Sequence, residues 1–137
     1  MKCMSDLPVH SIQVPTPFFE GTSNAYLLLG EPLTLIDVGI FGDRSFRALE
    51  AGLAERGVRV DQIQRIVLTH KHADHMGLAR AVHDRSGAEV RVHEEDQDEV
   101  VRYDERAKEF RQSVIGRLVE WGAPEDYFAQ ATKIGRA

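Results

Sequence analysis

Cysteine is all but missing from this chain. Cys3 is the only one, so no intrachain disulfide can form, and its place near the N-terminus keeps it out of any CxxC-type metal site. Its simplest reading is a spare thiol on a loose end. Long apolar runs are missing too. The N-terminal MKCMSDLPVH lacks the apolar centre of a signal peptide, and no later run reaches the length needed to span a bilayer. A membrane is therefore not an expected partner, and a cytoplasmic location is expected by default. There is no excess of positive charge: 17 Lys and Arg stand against 22 Asp and Glu, with the two signs interspersed. That balance excludes the concentrated basic patch of a nucleic-acid footprint. Internal repeats and low-complexity segments are also absent.

What is there is the mixture of an ordinary globular protein. Apolar residues make up 42% of the 137 and charged residues 28%, enough to bury a core of its own. The length fits one domain, over residues 1–137.

Ser11 to Val14 alternates polar and apolar before Pro15 and Pro17 stop it, which suits a short edge strand. Residues 15–24, PTPFFEGTSN, read as a loop carrying Phe18 and Phe19. Packing is the first expectation for that pair, and contact with an apolar part of a substrate the second. Ala25 to Leu29 and Leu33 to Val38 read as a hairpin of buried strands around Gly30-Glu31-Pro32. Asp43 is placed to cap a helix with Phe46, Leu49 and Leu53 on one face and Gly57 at its end.

Ile66 to Leu68 is a further strand, Leu78 to Arg85 a helix stopped by Gly87, and Glu89 to His93 an alternating strand. Glu94 to Val101 opens on acidic residues, as a helix N-terminus favours. A longer helix is expected from about Asp104 to Trp121, with Ala107, Phe110, Val114, Leu118 and Trp121 as a core-packing stripe. Pro124 can start a last short helix. Later strands alternate with helices, so the class is α/β.

Histidine is distributed unevenly. Of six, three fall within THKHADHMG at residues 69–77, as His70, His72 and His75, with Asp74 beside them. On an extended backbone, side chains at i and i+2 point the same way, so the imidazoles of His70 and His72 can reach one metal ion. Asp74 and His75 follow where the chain turns toward the next helix, and suit a neighbouring position. Imidazole and carboxylate donors suit Zn, Fe, Mn, Co or Ni. A polar loop rich in histidine by chance would account for one such residue; it accounts poorly for four donors in six positions. The cluster follows a strand's carboxyl end, where α/β sheets place their chemistry.

His70-x-His72-x-Asp74-His75, after Thr69 and before Gly77, resembles the HxHxDH signature of the metallo-β-lactamase-fold hydrolases. Three further stretches are similar to the family's strands in the right order: Asn24 to Leu29, Leu35-Ile36-Asp37-Val38-Gly39, and Ile66 to Thr69. The resemblance covers roughly residues 10–100. It implies an α/β chain forming the N-terminal αβ half of a metallo-β-lactamase αβ/βα sandwich, a mixed sheet with helices on one face. It also implies a binuclear metal site between two sheets, zinc first and iron or manganese as alternatives. His70 and His72 would bind one metal, Asp74 and His75 the other, and Asp37 would accept a hydrogen bond that orients the ligands. The implied chemistry is metal-assisted hydrolysis of a small-molecule ester, lactone or thioester, with Asp74 holding or relaying a proton. A layout with helices from about Glu94 to Tyr127 is similar to the thioesterase and lactonase branches.

The family's later metal ligands have no counterpart here. No histidine follows His93, and His83 and His93 suit surface or supporting roles. The chain is therefore expected to be truncated before the C-terminal half, leaving an apolar sheet face open. A homodimer or a separate chain could supply the rest. The contrasting reading is a non-catalytic metal-binding or interaction module, or the inactive half of a longer enzyme.

Overall fold

The computed structural model of the chain describes residues 8–17 and 21–126. Five strands form one sheet in the order β1-β2-β3-β4-β5: Val9–Pro15, Thr22–Leu28, Thr34–Ile36, Arg65–Val67 and Glu89–Arg91. The first three pair antiparallel. β3, β4 and β5 run parallel. Parallel neighbours need crossovers. Here α1 (Asp43–Ala54) lies between β3 and β4, and α2 (Ala73–Met76) with α3 (Ala79–Ser86) between β4 and β5. Two more helices follow, α4 (Glu94–Val101) and α5 (Tyr103–Glu120). This is the expected mixed sheet of the N-terminal half. Among the described residues no helix is long and apolar enough to cross a membrane.

Alternation decides which sheet face is covered. Ile12 and Val14 of β1, Ala25 and Leu27 of β2, Leu35 of β3 and Ile66 of β4 are buried together, one side of a pleat with period two. Leu49 and Leu53 of α1 and Val82 of α3 are buried in that same core. The other side keeps Val9 and Tyr26 exposed and Leu28, Ile36 and Val67 only half-buried. β2 is thus one-sided rather than buried throughout. It also begins at Thr22, inside the stretch expected to be loop, because Thr22 to Asn24 pair with Pro15 to Gln13.

Two helix expectations need correction. Asp43 is the first residue of α1 and makes no cap; Gly42 holds the N-cap position, and no side chain bonds there. The Phe110 stripe of α5 is not core. No residue of α5 is buried, Phe110 is 60% exposed and Trp121 73%. Of α5's residues only Tyr103 packs against the core, and there burial pushes its hydroxyl pKa up. α5 is tied to α4 by an ion pair of Arg106 with Asp98 at 2.6 Å, and that guanidinium holds the Asp98 carboxyl below its ordinary range. Helical periodicity reports a stripe without saying what lies opposite it. Phe18, Phe19 and Cys3 fall outside the described residues, as does nearly all of the helix expected after Pro124.

Leu35 lies at the sheet centre with no exposed surface. Leu35→Ala is expected to cost about 2–5 kcal/mol, whereas Phe110→Ala should stay within about 0.5 kcal/mol of the parent. Denaturant midpoints compared at unchanged slope test the pair. Equal losses would put the α5 stripe in the core after all.

Candidate metal centre

The site is built where β3 and β4 end side by side. Their register sets Ile36 opposite Val67, so the residues that follow, Asp37 and Leu68-Thr69, emerge from adjacent carboxyl ends. The Asp37 amide still donates to the Val67 carbonyl at 2.9 Å. Asp37 then turns into left-handed backbone, φ 56°, a region aspartate tolerates better than most residues. Its side chain is only 5% exposed.

A buried carboxylate needs donors. Asp37 has three: the Thr69 amide on Oδ1 at 2.8 Å, the Thr69 hydroxyl on Oδ2 at 2.7 Å, and His75 Nδ1 on Oδ2 at 2.9 Å. Through these bonds Asp37 touches both the start of the motif loop and the His75 ring. With Nδ1 donating to a carboxylate, His75 carries its proton there and leaves the lone pair on Nε2. The Oδ2 of Asp74 lies 3.4 Å from that Nε2, so the two face one space.

His70 sits between the other two rings. Its centroid is 4.6 Å from that of His72 and 4.3 Å from that of His75. His72 is the N-cap residue of α2, but its imidazole makes no capping bond. Lys71, between the two histidines, pairs at 3.6 Å with Glu99 of α4, an exposed contact worth little in energy.

Backbone bonds clamp the loop against the end of β3. The Val38 amide donates to the His75 carbonyl at 2.9 Å, and the Leu78 amide to the Gly39 carbonyl at 3.2 Å. Ser23, buried on β2, donates its hydroxyl to the Asp74 carbonyl at 2.8 Å. In the sequence Ser23 is marked only as a polar residue in the buried register of an alternating strand. Two of the other histidines have structural work. His83 Nδ1 lies 2.8 Å from the Ala88 carbonyl just beyond α3, and His93 caps α4 by accepting the Glu95 amide at 3.3 Å.

The donors suit a borderline metal: imidazoles with a free nitrogen beside a carboxylate. Their number falls short. Among the described residues no three His, Cys, Asp or Glu side chains form a group that could hold a metal ion. The motif offers one pair in His70 and His72, and another in Asp74 and His75.

Comparison with known proteins gives the family of the fold. The family model of the metallo-β-lactamase superfamily matches residues 19–131. A probable metallo-hydrolase of Bacillus subtilis, YqjP, is 47% identical over 75 residues, which are 55% of this chain and 24% of that protein. The metallo-β-lactamase family protein TTHA1429 of Thermus thermophilus superposes with a TM-score of 0.74 at 29% identity, over 92% of this chain and 42% of its own. The subclass B3 metallo-β-lactamase BJP-1 of Bradyrhizobium japonicum shares the fold at 23% identity, with a TM-score of 0.56 over 68% of this chain and 33% of its own. The chain thus spans about a quarter of the length of YqjP and under half that of TTHA1429.

Gly77 closes the loop by close approach. A Cβ there would meet the Phe41 amide nitrogen and lie 2.6 Å from the Ala73 carbonyl oxygen, and backbone atoms cannot step aside. Gly77→Ala is expected to cost about 1–3 kcal/mol by overpacking and to disturb the His75 imidazole signals. Gly116→Ala, in α5 with nothing near its Cβ, should gain about 0.5–1 kcal/mol from helix propensity. Thermal melts and histidine NMR spectra of both variants check the contrast.

Proposed function

The chain belongs to the metallo-β-lactamase superfamily, and from that premise we propose that it supplies the first half of a binuclear metal-dependent hydrolase acting on a thioester, lactone or other ester-like small molecule. The observation that carries the reading is the orientation of His75. Asp37 occupies its Nδ1, and its Nε2 faces the Asp74 carboxylate. A loop merely rich in histidine has no reason to spend a buried carboxylate in this way.

On this reading His70 and His72 hold one metal and Asp74 and His75 the other, zinc first, with iron or manganese as alternatives. When bound, the metals supply Lewis acidity that makes water nucleophilic near neutral pH and polarises the substrate oxygen. The chain's own residues do the rest. Asp37 fixes the His75 ring. Ser23 and the Val38 amide fix the backbone of Asp74 and His75. The Asp74 carboxylate takes up the proton that the attacking water gives away.

The missing donors come from a complementary surface, supplied by further sequence of the same protein, by a second copy of this chain or by a separate one. The half-covered sheet supports this: Val9 and Tyr26 are exposed on the face away from the helices. The second reading, a metal-binding or interaction module without turnover, is favoured by the absence of any three-donor group among the described residues.

The test joins light scattering, elemental analysis and a substrate screen. Expected is a dimer, or a complex with an added partner chain, that retains zinc and turns over an ester, lactone or thioester. His75→Ala should lose the metal of its pair, and Asp37→Asn should weaken zinc binding by about 10–100-fold. Retained metal with no turnover on any substrate selects the module. A metal-free monodisperse monomer, unchanged by any partner chain, would remove the pairing idea.

A further inference from the structure

Thr69 stands between Asp37 and His70, and its hydroxyl has a single proton to place. The Oγ1 lies 2.7 Å from Asp37 Oδ2 and 2.9 Å from His70 Nδ1. A carboxylate offers acceptors only. If the hydroxyl donated to His70, two lone pairs would face each other across 2.7 Å. The proton therefore goes to Asp37, in a charge-assisted bond of ordinary O–H to carboxylate length. Oγ1 is then left to accept, and the group it accepts from is His70 Nδ1–H.

We propose that Thr69 is a positioning residue that sets the tautomer of His70: its hydroxyl carries the orienting influence of Asp37 to a second histidine, holding the proton on Nδ1 and leaving Nε2 free. One buried carboxylate then prepares two imidazoles, His75 directly and His70 through Thr69. This departs from the tautomer commoner in free neutral imidazole, which carries its proton on Nε2, so the hydroxyl has a measurable consequence. The value of the prepared Nε2 rests on the metal-centre reading above; the tautomer itself does not.

The test uses the whole chain, metal-free, at a pH well above the ordinary imidazole range, with nitrogen-15 spectra of the histidine rings. The wild type and Thr69→Ser should show His70 and His75 protonated on Nδ1. Thr69→Val keeps the side-chain shape and removes the hydroxyl. There His70 should move to the Nε2–H form while His75 keeps its bond to Asp37. His83, whose Nδ1 faces the Ala88 carbonyl, is the internal control for an intact fold, and Thr69→Ala replaces the valine variant if that control moves.

Zinc titration of the same proteins should show binding weakened about 10–100-fold by loss of the hydroxyl and restored by serine. His70 protonated on Nε2 in the wild type, or unchanged in Thr69→Val beside an intact His83, overturns the proposal. Spectra that shift as expected in proteins none of which binds zinc, alone or with an added partner chain, would leave the Thr69 relay standing and bring down the metal-centre reading instead.

Discussion

Asp37 is a carboxylate enclosed by protein at the end of a central strand, and such a group is tolerable only when donors surround it. That need organises the region around it. The three donors come from two positions, Thr69 and His75, and both belong to the motif loop. Removing one partner would leave a charge buried with too few bonds, so the loop is held where it is by the cost of every alternative. The left-handed turn at Asp37 aims the side chain at those donors. Local backbone strain of this kind persists when the surroundings over-determine it.

The sheet topology is what makes those donors available. Two antiparallel strands would not place their carboxyl ends together; the parallel pair β3 and β4 does. Asp37 and Thr69 are thirty-two residues apart in sequence and adjacent in space for that reason alone. The helical turn of α2 then carries Asp74 and His75 back over the strand ends, and Ser23 and Val38 hold it down. Gly77 lets the turn approach the Ile40-Phe41 backbone closely. Fold and site are one construction here: the elements that close the core also orient the imidazoles.

The motif and the strands beside it were legible in the sequence because their signals are local. Alternation marked β1, and Gly87 marked the end of α3, where it takes the left-handed conformation expected of such a stop. Asp37 was legible by resemblance, since nothing in its own neighbourhood announces three donors from another strand. Thr69 and Ser23 were visible as residues but silent as partners, since their bonds cross 32 and 51 positions. Asp43 and the α5 stripe failed for the same reason from opposite sides. A capping residue has to stand one place earlier than Asp43 does, and a stripe becomes core only when another element lies against it. Periodicity carries neither piece of information.

Two shortages remain in the chain, and they are the same kind of shortage. The sheet has apolar side chains on a face that none of the described helices covers, and among the described residues the motif brings too few donors together to close a metal site. Burial of that face and completion of the donor set would each require a second layer of protein. A surface that covered the sheet without adding donors would give a stable assembly with a weak metal site. One that added donors without covering the sheet would have little area with which to stay in place. On the proposed function one complementary surface does both, which is why assembly and metal content must be measured on the same sample.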